Sequence, residues 1–218
     1  MAWIFSKCGF KSYLVLGLGL ISLAGCRVNV DKGANGEEKR VQVDTPFGGI
    51  HVNTDQTTAS DVGLPLYPGA TLFVNNDKHK SADVHMGFGE WQLRVRAVSY
   101  GTTDDADKVA EFYKKALGRY GDVITCKNKQ PVGTPTATSE GLTCADDSNK
   151  GVNVNVNDDD NDSNGKKGAH WDIHEGLELK AGSKRHQHIV GVQDQKEDGK
   201  TVFALVALDL PTGSDKAD

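Results

Sequence analysis

Two clusters of side chains have the type and spacing to hold a cation. Asp160-Asn161-Asp162-Ser163-Asn164-Gly165 fits D-x-[DN]-x-[DN]-G, the first half of a calcium loop. Oxygen ligands at alternate positions can converge on a hard cation, and the glycine permits the tight turn, so Asp160, Asp162 and Asn164 are the candidate ligands. The second half does not follow: Trp171 stands where a bidentate glutamate belongs, helical flanks are missing, and Lys166 and Lys167 bring positive charge beside the site. Asp, Asn, Ser and Gly are also what a solvated hairpin tip is made of. The second cluster is His170, Asp172 and His174, on the outer face of a strand whose Trp171 and Ile173 point inward. Imidazoles with a carboxylate suit zinc, copper or nickel, and His186 and His188 on another strand are available to complete the shell. The plainer account is a polar face whose histidines meet water. No cofactor is therefore the first expectation, with calcium or zinc as the alternatives.

Signatures of catalysis are sparse. The chain has no G-x-S-x-G elbow, no H-E-x-x-H and no G-x-x-x-x-G-K-[ST] phosphate loop. Asp104 and Asp105 are better explained as the start of a helix than as an acid and a base. Arg94 and Arg96 are spaced to grip a carboxylate or a sugar from one strand face, although a charged outer face is the ordinary reading of such a pair.

The cellular address is more explicit. Lys7 and Lys11 precede a short apolar run, Leu14 to Cys26, that ends on Leu23, Ala24, Gly25 and Cys26. That ending resembles the lipobox of bacterial lipoproteins. The resemblance implies that a signal peptidase cuts before Cys26 once its thiol carries diacylglycerol, and that the freed amine is acylated too. Two or more acyl chains hold a protein on a bilayer stably, where one chain would let it exchange. An uncleaved transmembrane helix is the alternative, but Tyr13 to Gly25 is shorter than the roughly 20 residues needed to span. Arg27 stands where the family's inner-membrane retention aspartate would be, which favours the outer membrane, facing the periplasm.

Removing residues 1–25 from the 218 leaves 193, enough for one domain and a tether, and the loss of two lysines moves the formal charge from −5 to −7. A mildly acidic exported chain is a poor partner for nucleic acid. With Cys8 removed in the signal peptide and Cys26 acylated, Cys126 and Cys144 are left to form one disulfide in an oxidising compartment, worth about 3 kcal/mol in the chain-entropy model. Neither has the CxxC or CxxH neighbourhood of a metal site or a catalytic thiol.

The elements that must position these residues follow from periodicity. Arg27 to Arg40 is charged and rich in Gly and Asn, which predicts a flexible stalk. Val41, Val43, Ile50 and Val52 alternate around Thr45-Pro46-Phe47-Gly48-Gly49 as a hairpin, with His51 on its polar side. Asn53 to Val62 reads as loop, and Pro68-Gly69 suits a type II turn. Strands are expected over Thr71–Val74, Ala82–Met86 and Trp91–Tyr100. Thr102 or Thr103 caps a helix whose apolar stripe is Val109, Phe112, Tyr113, Ala116, Leu117 and Tyr120, with Gly118 or Gly121 as its stop. Asp122–Cys126 returns as a strand. Val152, Val154 and Val156 alternate in another, and a bulge at Gly176 precedes Leu177 and Leu179. Gln187–Val192 and Val202–Leu208 complete the set. The last is apolar at every position and belongs in the middle of the sheet.

The stretch Asp61 to Ala70 (DVGLPLYPGA), the helix with Val109, Phe112 and Tyr113, and Tyr120 to Val123 (YGDV) resemble a group of uncharacterised bacterial exported proteins. The resemblance implies export and a shared fold, and carries no activity. The expectation is an α+β fold: a largely antiparallel sheet with one main helix packed on one face. Its parts are a signal peptide (1–25), the lipidated cysteine and tether (26–40), a small hairpin and loop (41–62), the α+β domain (63–211) and a disordered tail (212–218). The expected function is that of a lipid-anchored, non-enzymatic binding or assembly module that meets the membrane through its anchor and an envelope protein or the cell wall through its surface. An ion-binding lipoprotein and an envelope hydrolase are the alternatives.

Overall fold

Alternation of apolar and polar residues accounts for most of the architecture, because a strand that buries one face needs a side chain there at every second position. The computed structural model describes residues 26–32, 38–74, 81–145 and 176–211. Their strands are β1 (Arg27–Lys32), β2 (Glu38–Thr45), β3 (Gly48–Thr54), β4 (Thr71–Leu72), β5 (Ser81–Phe88), β6 (Trp91–Thr102), β7 (Val123–Lys127), β8 (Gln130–Pro131), β9 (Gly176–Gly182), β10 (His186–Glu197) and β11 (Lys200–Asp209). Among the described residues there is one α-helix, α1 (Ala106–Leu117), which runs on into a 3-10 turn at Gly118–Tyr120.

All eleven strands join one sheet in the order β1-β2-β3-β5-β6-β11-β10-β9-β7-β8, with β4 paired to β6. Every pairing is antiparallel. β11 lies between β6 and β10, so the continuously apolar Val202–Leu208 run has a strand on each side, as its composition requires.

Residues 27–32 and 38–40, expected as part of a flexible stalk, are strand. Val28 and Val30 of β1 pair with Val43 and Val41 of β2, and Asp31 lies opposite Arg40. The alternation of two valines with polar residues outweighs the charged composition once a partner strand is supplied. The hairpin of β2 and β3 continues through β3–β5 pairing, so it shares one sheet with the later strands.

The start of the helix also differs from expectation. Asp105 occupies the N-cap position in extended conformation, without a side-chain capping bond. Thr102 is held as the last residue of β6 by pairing with Thr201, which leaves it too far back to cap. The Asp105 carboxylate instead accepts from Lys196 Nζ at 2.9 Å. At the other end Gly118 stays right-handed, and the chain leaves at Gly121, whose φ of 110° favours glycine. Pro68-Gly69 forms the expected turn, with Ala70 N donating to Tyr67 O at 3.1 Å and Gly69 at φ 73°. From Gly176, which pairs with Gln193, the β9–β10 register is regular, and the β10–β11 pairing shifts between Val192 and Lys196.

One buried cluster joins Val109, Ala110, Tyr113 and Leu117 of α1 to Val98 and Tyr100 of β6, Leu179 and Ala181 of β9, Val190 and Val192 of β10 and Phe203, Leu205 and Ala207 of β11. The loop between β3 and β4 adds Ala59, Val62, Leu64 and Tyr67. Tyr113 Oη donates to Pro65 O at 3.2 Å and Tyr120 Oη to Gly63 O at 2.6 Å, which ties this loop to the helix. A second small cluster contains Ile124, Leu142 and the Cys126–Cys144 disulfide, whose Cα atoms are 5.6 Å apart. The expected signal peptide, Val152–Val156 strand, acidic turn and disordered tail (212–218) lie outside the described residues.

Candidate functional site

Because side chains alternate along a strand, Arg94, Arg96, Val98 and Tyr100 of β6 share one face. The far half of that face, Val98 and Tyr100, belongs to the buried cluster with α1. The near half is polar and reaches solvent, and pairing registers extend it sideways across the sheet. One row runs Gln42, His51, His85, Arg94, Asp209, His186 through β2, β3, β5, β6, β11 and β10. The next runs Asp31, Arg40, Asn53, Asp83, Arg96 from β1 to β6. Directly opposed residues in such rows have Cβ atoms about 5 Å apart, so the groups interact.

The interactions are specific. Arg94 grips Asp83 with two parallel bonds, Nε to Oδ1 at 3.1 Å and Nη2 to Oδ2 at 2.7 Å. That pairing raises the guanidinium's pKa above its ordinary value. Arg96 donates from Nη1 to Asp61 O at 2.5 Å and from Nη2 to Asp209 Oδ2 at 3.4 Å, which links the sheet to the loop after β3. His186 Nδ1 lies 3.0 Å from Asp209 Oδ1. His51 Nε2 lies 2.9 Å from Asp44 Oδ1, and Gln42 Nε2 donates to Asp44 Oδ2 at 2.7 Å. The His51 bond, followed by that from Gln42, holds the Asp44 carboxyl below its usual range. His51 and His85 meet edge to face, with ring centroids 6.2 Å apart. Arg40, Gln42, His51 and Asn53 line a hollow of about 270 Å³, and Arg40 Nε donates to Asn53 Oδ1 at 3.0 Å across it. The result is a face of alternating charges, with donors and acceptors both presented to solvent.

His188 sits at the inner border of this face. Its ring stacks on Tyr120 at 3.6 Å between centroids and 11° between planes. Burial first, then the positive charges of Arg96, Arg119 and His186, push its pKa below 6.5, against an opposing pull from Asp209. The fold therefore favours the neutral ring, while the unfolded chain takes up a proton as pH falls through about 6.5. His188 contributes stability above that pH and loses it as pH falls through the lowered folded value. The depressed carboxylates Asp44, Asp61 and Asp105 act in a separate window, below their ordinary 3.8. Melting temperatures measured from pH about 6.5 down to about 5 are expected to fall more steeply for the wild type than for His188→Gln. Equal slopes would contradict this assignment.

Of the residues singled out by sequence, Cys26 is exposed immediately before β1, and Cys126 and Cys144 are bonded to each other. Asp160, Asp162, Asn164, His170, Asp172 and His174 lie outside the described residues. His186 and His188 are engaged with Asp209 and Tyr120, and no group of three metal-ligating side chains occurs among the described residues. Arg94 and Arg96 do share one face, as their spacing requires. His51, His85, Asp83 and Asp209 join them through register, which no single stretch of sequence encodes. The chain matches no protein-family model, no curated protein and no solved structure, and the chemistry of the site rests on its own residues.

Proposed function

We propose that the protein is a lipid-anchored, non-enzymatic binding module of the cell envelope, held through Cys26 and recognising another envelope component through the open polar face of β2, β3, β5 and β6. The observation that carries this reading is the row from Gln42 to His186, a band of mixed charge on a rigid sheet. On this reading α1 and the loop after β3 form a layer over the apolar end of the same face, and the polar end is left for a partner. Its polar groups are matched within the face, Arg94 with Asp83 as an ion pair and His51 with Asp44 at hydrogen-bond distance. Such pairing favours steering and register over proton transfer. Arg94 remains half-exposed at its side chain, 45%, and supplies a planar donor edge suited to a carboxylate or sugar hydroxyls. The LAGC ending and Arg27 support attachment to the outer membrane on its periplasmic side.

Site-specific photo-crosslinking in intact cells tests the recognition surface. A photoreactive residue at position 51 or 85 is expected to give one discrete adduct, which Arg94→Glu removes. The same probe at Lys115, on the exposed side of α1 with 77% of its side chain accessible, is expected to give none of it. An identical adduct from position 115, or its absence from both 51 and 85, would overturn the assignment.

A further inference from the structure

The end of the sheet next to Cys26 carries the most exposed aromatic residues among those described. Arg27 pairs with Asp44, so Cys26 lies level with Thr45, and the same cross-strand level continues through Gly48 and Phe88 to Trp91. Five strands are crossed, a width of about 19 Å at the usual strand spacing. Phe47, in the β2–β3 turn just beyond this level, is 84% exposed, and Phe88 and Trp91, flanking the β5–β6 turn, are 46% and 39% exposed. The Phe88 and Trp91 rings are 6.0 Å apart. Their side of the sheet stays apolar toward β1, where Val28 and Val30 are 59% and 41% exposed.

We propose that this end of the sheet rests in the headgroup layer of the membrane that holds Cys26, with Phe47, Phe88 and Trp91 as a second point of attachment. The proposal rests on the lipid-anchor reading of Cys26. The occupant is set by Cys26, the residue that would carry the lipid: it directly precedes β1 at this corner, so the anchor and the aromatic tip converge. Trp91, with an apolar ring and a polar N–H, is of the type favoured at that depth, and Phe47 and Phe88 add apolar area beside it. Arg27 at this end faces Asp44, with Glu90 as a further acid, so positive charge does not draw it to the bilayer and the attraction is chiefly apolar, which suits zwitterionic lipid. An anchor at one corner with rings some 19 Å away restricts tilt, which a single acylated residue on its own does not.

The full mature protein, purified from bacterial membranes and placed in phosphatidylethanolamine vesicles containing a minor fraction of phosphatidylglycerol, tests this. Intact mass reports acylation independently. Tryptophan emission is compared for wild type and Trp91→Phe, in vesicles with and without bromine at shallow acyl positions, and the difference isolates Trp91. Loss of the Trp91 emission in brominated vesicles, with protection from aqueous acrylamide, is the expected result, and Phe47→Ser with Phe88→Ser should reduce both. An acylated protein whose Trp91 is neither quenched by bromine nor protected overturns the proposal and leaves the anchor standing. Protection from acrylamide without bromine quenching assigns the tip to a second copy or another protein, and overturns the lipid assignment. A chain without acyl mass and without quenching removes both readings, whereas quenching without acyl mass keeps the tip and removes the anchor.

Discussion

Phe203→Ala is expected to be the most destabilising single truncation in the sheet, costing about 3–5 kcal/mol. Phe203 is 1% exposed on the central strand β11, and its ring meets those of Tyr113 at 5.5 Å, Tyr100 at 5.9 Å and Tyr67 at 6.1 Å between centroids. These three tyrosines come from the helix, a neighbouring strand and the loop after β3, so one side chain joins three separate parts of the fold. The void left by alanine cannot be filled by a small shift, because Tyr113 is fixed by its bond to Pro65 O and Tyr67 by its bond to Asp104. A domain of this size holds about 5–15 kcal/mol in total, and each kcal/mol moves the melting temperature by roughly 2–4 °C. The expected fall is roughly 10 °C or more by calorimetry or circular dichroism. Phe88→Ala, which removes the same ring from an exposed position, should change stability by no more than about 0.5 kcal/mol. Equal shifts for the two variants would show that the aromatic centre is not where the structure places it.

Part of that centre was legible in the sequence, where it is built from local periodicity, whereas Tyr67 stands in an expected turn and Tyr100 on the same side of its strand as Arg94 and Arg96. The helix stripe supplied Val109, Tyr113 and Leu117, and the unbroken apolar run supplied Phe203 and Leu205; each needs only its own neighbours in sequence to be read. The polar face was not legible in the same way. His51, His85, Arg94 and His186 come from four strands, and their adjacency depends on the registers between strands, which are set by contacts distant in sequence. Arg94 and Arg96 looked like an ordinary outer face because alternation gives the side of a strand without saying how far a covering layer extends along it. The same side of β6 is charged at Arg94 and buried at Val98. Arg27–Lys32 was misjudged for a related reason. Its two valines are too few to signal a strand alone, and become one only against Val41 and Val43.

Cys26→Ser is expected to produce the largest change in behaviour of any single substitution, because it removes the proposed attachment as a whole. A diacylglycerol with a further acyl chain contributes about 0.8 kcal/mol for every methylene taken out of water, far more than the aromatic tip can supply. Serine at this position has no thiol to receive the glyceryl group, and cleavage before residue 26 depends on that modification in the lipoproteins whose ending LAGC resembles. Cys26 is exposed and immediately precedes β1.

Radiolabelled palmitate fed to cells making the wild-type chain and Cys26→Ser reads this directly. The account predicts a labelled wild-type protein with residues 1–25 removed, and an unlabelled, uncleaved variant. Label entering the Cys26→Ser chain, or a wild-type chain that takes none, would contradict it.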